Sequence, residues 1–227
     1  MQLDHRRIAV TGAFGALGAA TVQAALAAGA RVVAIDRTDA PSGGLGQATC
    51  LGGVDLADAR AAKEALAAAA QALGGLDALV NIAGTFRYET LADGNLDTWD
   101  LLYRVNLRTA VAASQAALEH LQTGGRIINI GAASALKAGA GVGAYTASKS
   151  GVMRLTEALA EELKERGITV NALLPSILDT APNRADMPKA DFDRWVKPQQ
   201  LADVILFLLS DQASAITGAL IPVTGRV

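Results

Sequence analysis

A phenol and an ammonium four residues apart are the groups of this sequence best placed to move a proton. Tyr145 and Lys149 lie in the stretch Gly143 to Gly151, which opens a segment running to Arg166. Apolar Val152, Leu155, Leu159 and Leu163 recur there at three- and four-residue steps. That spacing predicts a helix with Tyr145 and Lys149 one turn apart on one face. A free tyrosine has a pKa of about 10, and a cation within a few ångström favours the phenolate, so the pairing is expected to bring Tyr145 toward neutrality. A tyrosine tuned in that way gives or takes a proton at working pH.

A second chemistry is written at the other end of the chain. Arg6 to Thr11 is a short apolar, β-branched run followed at once by Gly12-Ala13-Phe14-Gly15-Ala16-Leu17-Gly18 and an alanine-rich stretch to Ala28. Strand, glycine turn and helix in that order form a phosphate cradle, because glycine lets the backbone turn tightly and approach a pyrophosphate that the helix N-terminus attracts. Gly29 stops the helix, and Arg31 to Ile35 is expected as a buried second strand ending in Asp36. A carboxylate about 20 residues after the turn accepts hydrogen bonds from the adenosine ribose and repels a 2′-phosphate. Asp36 therefore favours NAD over NADP, and Arg37 beside it partly offsets the repulsion, so NADP is not excluded.

These groups need elements to hold them. Thr38 to Gln47 is short and rich in Gly, Pro and Ser, so a loop is expected there, followed by a third strand near Ala48 to Leu51. Asp55, in Val54-Asp55-Leu56, is placed to reach an adenine amino group, and Ala57 to Ala72 is a run of strong helix formers. Leu76 to Val80 is a fourth strand, and the small residues of Asn81-Ile82-Ala83-Gly84 leave room for a cofactor ribose. Leu96 to Leu121 has one long helical pattern in which Asn106 is a polar amide on an apolar face, a pattern that also suits a satisfied core residue. Gly125 to Ile130 and Ile168 to Leu174 are expected as strands, Thr180 to Lys197 as an irregular loop, Leu201 to Leu209 as a helix and Ala219 to Val223 as a closing strand. Strands alternating with helices predict one doubly wound, Rossmann-type α/β domain over residues 1–227, with a parallel sheet of about seven strands and segment 176–198 as a substrate-covering loop.

Composition narrows the partner. Of the 227 residues, 20 are Lys or Arg and 22 Asp or Glu, with neither sign in a block, so a small-molecule substrate is expected and neither nucleic acid nor a membrane surface. Cys50 alone forms no internal disulfide and fits a reducing compartment, and no metal-type cysteine spacing occurs; a cytoplasmic location is expected. The apolar run Val204 to Leu209 is far shorter than the roughly 20 residues a membrane helix needs.

Taken in order, Thr11 to Gly18, Asp55, Asn81 to Gly84, Asn106, Tyr145 with Lys149, and Asn171 to Pro175 followed by Thr180 resemble the motifs of the short-chain dehydrogenase/reductase superfamily over essentially the whole chain. The resemblance implies that Tyr145 is the general acid/base, that Lys149 lowers its pKa and holds the nicotinamide ribose, and that Asn106 keeps a proton-relay water in place. It also implies a cofactor contact through the backbone of Ile177, with Gly12, Phe14, Gly15, Ala16, Leu17, Leu56, Ala83, Gly84, Pro175 and Thr180 around the dinucleotide. A homodimer or homotetramer, paired through the two long helices, is implied as well.

The sequence departs from that pattern at Ala16 for a glycine, Ile82 for an asparagine and Ser176 for a glycine. At position 132, where the family carries a catalytic serine, it has Ala132; Ser134, two residues later, is the candidate stand-in. One branch of the superfamily, the dihydropteridine reductases, lacks that serine, and Gly15 to Gly18, Gly141 to Tyr145, Leu174 to Thr180 and Asn183 to Trp195 are similar to it. The expectation is thus a nicotinamide-dependent oxidoreductase acting on a carbonyl or quinonoid carbon, with a conjugated ring such as a pterin as the sharper form. Two alternatives stand beside it: a reductase of ordinary ketones or 3-oxoacyl thioesters, and a nucleotide-sensing protein without turnover.

Overall fold

The computed structural model describes residues 2–227. Seven strands form one parallel sheet in the order β3-β2-β1-β4-β5-β6-β7. They are β1 (Arg7–Thr11), β2 (Arg31–Ile35), β3 (Thr49–Leu51), β4 (Leu76–Asn81), β5 (Leu121–Ile130), β6 (Thr169–Pro175) and β7 (Leu220–Val223). The chain winds outward from β1 to β3, then returns to start β4 on the other side of β1. This reversal opens a crevice at the carboxyl ends of β1 and β4, where open parallel sheets take their ligands.

Side chains alternate across the sheet with the period of two that a pleated strand imposes. Ile8, Val10, Val32, Ala34, Ala78 and Val80 enter one core with helices α1 (Ala16–Ala27) and α7 (Pro198–Leu209). Ala9, Val33, Ile35, Leu79 and Ile127 enter the other, with α2 (Ala59–Leu73), α4 (Thr109–Ala117) and α5 (Gly143–Leu163). Burial on both faces is why these strands are short apolar runs rather than alternating ones. The α2 helix begins two residues later than its composition predicts, because the Asp58 side chain caps it by accepting from the Ala61 N–H.

Two expected elements are corrected. Leu96 to Leu121 is not one helix: α3 (Leu96–Leu102) passes into a π-helical segment Tyr103–Arg108 and then α4, and Leu121 already belongs to β5. A π turn inserts one residue per turn, and this one turns Asn106 inward while Tyr103 and Arg104 stay exposed. Thr180 to Lys197 is not structureless either. It holds α6 (Ala181–Asp186), capped by the Thr180 hydroxyl, and a 3-10 turn at Phe192–Arg194, while Leu178 and Val196 pair as an isolated bridge. The loop without a helix at Thr38 to Gln47 is as expected. Among the described residues, no helix is long and apolar enough to cross a membrane.

Candidate active site

The crevice at the switch point is a cleft of about 650 Å³. Its first wall is the glycine turn. Gly12 has φ +63°, and a Cβ there would lie 2.6 Å from the Ala83 nitrogen. The Thr11 hydroxyl accepts from the Ile82 and Ala83 N–H groups at 3.1 and 3.3 Å, so the ends of β1 and β4 are tied across that close approach. Gly15 differs: a Cβ there would meet only the Gly12 carbonyl, at 3.5 Å, and otherwise faces the cleft. It precedes α1, whose N-terminus has no side-chain cap and no acid in its first turn. Unspent N–H groups beside a bare Cα make the cradle a phosphate needs, and Ala16 does not disturb it. Gly12→Ala is expected to lower stability by about 2–4 kcal/mol in chemical denaturation, since it combines left-handed backbone strain with a steric collision. A loss below 1 kcal/mol would show that the turn relaxes freely.

Beyond the turn stands Asp36 at the end of β2. Its carboxylate accepts from the Phe14 N–H at 3.0 Å and from the Thr38 N–H and hydroxyl at 3.0 and 3.1 Å. The acid is thereby oriented on the cleft wall, with Arg37 and Thr38 beside it. Asp55 also lines the cleft, but one of its oxygens accepts from the Ala57 N–H and the other pairs with Arg104 at 2.5 Å. An adenine amino group would therefore meet an acid already neutralised by Arg104. Buried Leu56 forms the floor beside it.

Tyr145, Lys149 and Asn106 meet at the opposite end. Lys149 is only 5 % exposed and donates from Nζ to the Ile130 carbonyl at 2.8 Å. Asn106, buried on the π segment, accepts from the Thr85 N–H at 2.7 Å and donates to the Ser148 hydroxyl at 2.9 Å. It thus clamps the end of β4 against α5. Gly84 permits this closeness, because a Cβ there would sit 3.1 Å from Asn106 Oδ1 and 3.3 Å from Lys149 Nζ. Half-buried Tyr145 packs its ring edge-to-face against Phe86 at 4.9 Å, and its hydroxyl makes no hydrogen bond to the described residues.

The expected drop in the Tyr145 pKa is not found. Burial pushes it up to about 12, and burial pushes Lys149 down to about 8. No hydrogen bond joins the two side chains, and the Lys149 ammonium is directed at the Ile130 carbonyl. Loss of hydration moves both groups.

Other expected residues are placed differently. The Asn81 side chain does not line the cleft; it turns into the sheet and donates to Ser114 Oγ and Asn129 Oδ1 at 3.1 and 2.9 Å. An amide at a β4 position facing β5 is satisfied by its strand neighbour, so any part Asn81 takes at the cofactor falls to its backbone. Pro175 is buried in β6 and the Ile177 carbonyl accepts from the Val196 N–H, while the expected Thr180 lines the cleft together with Leu178 and Pro182. Ser134 is exposed in a 3-10 turn outside the cleft, and Ala132 is buried. Residues missed from the sequence include Thr85, Arg87, Leu101, Arg104 and Leu178. Arg104 had a signal, the helical pattern placing it one turn before Arg108; the others had none.

Crevice, cradle and the cluster of Tyr145, Lys149 and Asn106 together define a dinucleotide-dependent α/β oxidoreductase. The sequence profile described as short chain dehydrogenase matches residues 6–191, and the chain belongs to that family. It is 32% identical over 247 residues to 2-(S)-hydroxypropyl-CoM dehydrogenase 3 of Xanthobacter autotrophicus, covering 99% of this chain and 97% of that protein. It is 31% identical over 242 residues to the 3-oxoacyl-(acyl-carrier-protein) reductase FabG of Thermotoga maritima, covering 99% and 98%. Among solved structures, a short chain dehydrogenase from Burkholderia cenocepacia in complex with NADP superposes with a TM-score of 0.87 at 33% identity, covering 99% of this chain and 98% of the other.

Proposed function

We propose that this chain transfers hydride between NAD(H) and a carbonyl or quinonoid carbon, with Tyr145 as the proton donor and acceptor. The observation that carries the reading is that Tyr145 and Lys149 line one end of a cleft, with buried Asn106 behind them, while the other end holds the phosphate cradle and Asp36. A nicotinamide dinucleotide supplies or accepts the hydride when bound. The chain's own residues do the rest. The bare Cα of Gly15 and the open N-terminus of α1 hold a diphosphate, and Gly84 leaves space for a ribose beside Lys149. Tyr145, a neutral phenol at pH 7, donates to an oxygen that gains charge during reduction. Lys149, buried beside Gly84, holds that ribose with its ammonium, while Asn106 keeps α5 in register with β4.

Ketones, 3-oxoacyl thioesters and secondary alcohols are the substrates this arrangement suits, in keeping with the names of the relatives. A conjugated ring substrate, such as a quinonoid dihydropterin, is favoured by one observation: Ala132 gives no hydroxyl and Ser134 lies outside the cleft. Losing such a donor typically costs about 10²–10³ in rate when charge collects on one oxygen, and less when a ring spreads it. NADH and NADPH oxidation with simple ketones, acetoacetyl thioesters and quinonoid dihydropterin separates these substrates. No turnover with any of them, despite NADH binding, would point to a nucleotide sensor.

NAD(H) is proposed over NADP(H) because the fixed Asp36 carboxylate meets the ribose hydroxyls, although the Burkholderia protein carries NADP. Asp36→Ala is expected to reduce the NAD to NADP ratio of kcat/KM by about tenfold. A wild type that strongly prefers NADPH would overturn the preference. Subunit pairing is proposed through the face of α3 and α4, where Leu96, Trp99, Tyr103 and Val111 are exposed; sedimentation velocity reads it directly.

A further inference from the structure

The charges lining the cleft are unevenly divided. Its acids are Asp36 and Asp55, both at the cradle end, the first hydrogen-bonded by Phe14 and Thr38 and the second paired with Arg104. The catalytic end has no lining acid and two cations, Lys149 and Arg87. Lys149 is buried and committed to Ile130. Arg87 is not: among the described residues no carboxylate lies within 4.0 Å of it, although nine other pairs form in the chain.

Its position is set by chemistry on either side. Phe86, the preceding residue, packs edge-to-face on the Tyr145 ring, so the backbone of exposed Arg87 is one residue from that contact, and its side chain lines the same cleft. The guanidinium folds back, donating from one terminal nitrogen to its neighbour's carbonyl, Phe86 O, at 2.8 Å, with a long 3.5 Å contact to Thr85 Oγ1. The other terminal nitrogen and Nε have no partner among the described residues. A guanidinium anchored at one corner with its remaining donors open is preorganised for an anionic oxygen group, and a planar fork binds such groups with two parallel hydrogen bonds.

We infer that Arg87 is a substrate-recognition residue and that the substrate of this cleft carries an anionic oxygen group, carboxylate, sulfonate or phosphate, near its reacting carbonyl. The inference rests on the oxidoreductase reading for the word substrate, but the anion site itself does not depend on turnover. It also accounts for the asymmetry of the cleft: an acid beside Tyr145 would repel such a ligand, and none is present among the lining residues.

The test is binding to the NADH-saturated protein, measured by calorimetry, of 2-oxopentanoate and 4-oxopentanoate, each against its methyl ester. The wild type is expected to bind at least one acid about tenfold more tightly than its ester at low ionic strength, the gain falling with added salt. In Arg87→Gln the acid-to-ester ratio falls to about one, and Arg87→Lys recovers part of it. A ratio near one in the wild type, no measurable binding of either acid, or a preference that survives in Arg87→Gln overturns the inference. So does a loss in Arg87→Gln confined to NADH affinity, which would assign the residue to the cofactor. NADH oxidation is followed in the same samples. A preference for the acid that depends on Arg87, without oxidation, would count against hydride transfer while supporting the anion site.

Discussion

Tyr145→Phe lowers turnover at neutral pH by about 10³-fold or more and leaves the NADH Kd within a few-fold. General acid–base groups contribute typically about 10²–10⁴, and no other hydroxyl in the described cleft shares this position on α5. The Tyr145 hydroxyl makes no hydrogen bond to the described residues, and its ring contact with Phe86 survives in phenylalanine. The substitution thus removes a proton without removing a packing contact, and the melting temperature at pH 7 should stay within a few degrees of wild type. At high pH the two proteins separate. The folded-state pKa of about 12 lies above the ordinary 10. Between those values the unfolded tyrosine has ionised while the folded one remains protonated, so the wild type loses stability with rising pH and the Phe variant does not. Stopped-flow turnover, cofactor titration and denaturation midpoints at pH 7 and above pH 10 check each part. Undiminished turnover would end the assignment of Tyr145.

Lys149→Met is the second large effect, and it runs in opposite directions for activity and stability. Turnover falls by about 10²-fold or more, because the cation proposed to position the cofactor ribose beside Tyr145 is gone. Stability at neutral pH rises by about 1–2 kcal/mol, since methionine fills a similar volume without a buried charge. The depressed pKa, about 8 against 10.5, carries the sign. Below pH 8 the lysine is charged in both states and the folded state bears the full desolvation cost. Between about 8 and 10.5 the folded lysine is neutral while the unfolded one still binds a proton, so the wild type gains stability as pH rises. The advantage of the Met variant therefore shrinks across that window. The unpaired Ile130 carbonyl, which loses the 2.8 Å bond from Nζ, limits the gain. Urea denaturation at pH 7 and pH 10 measures both limbs, and a destabilised Met variant at pH 7 would show that the hydrogen bond outweighs the charge.

The contrast between these two residues shows how far local pattern reaches. The spacing of Tyr145 and Lys149 on one helical face was legible, because a helix turns every 3.6 residues whatever surrounds it. The direction of their pKa shifts was not. It depends on how much water the neighbouring elements exclude, and Ile130, which receives the ammonium, is 19 positions away in sequence. Asn81 and Asn106 make the same point in pairs. Both are amides in apolar stretches, yet one is consumed by Asn129 on the adjoining strand and the other by Ser148 and Thr85 at the catalytic end.

What the sequence by itself determined is everything that follows from short-range periodicity and backbone freedom: the alternation of strands and helices, the left-handed Gly12, the Tyr145 to Lys149 turn, and the acid closing β2. Tertiary structure alone decided which polar groups face the cleft. It turned the π segment so that Asn106 points inward, paired Asp55 with an arginine 49 residues away, and set Leu178 and Arg87 in the cleft lining. The physical reason is that burial and pairing are set by contacts between residues distant in the chain, and these contacts exist only once the sheet has brought the ends of β1, β4 and β5 together.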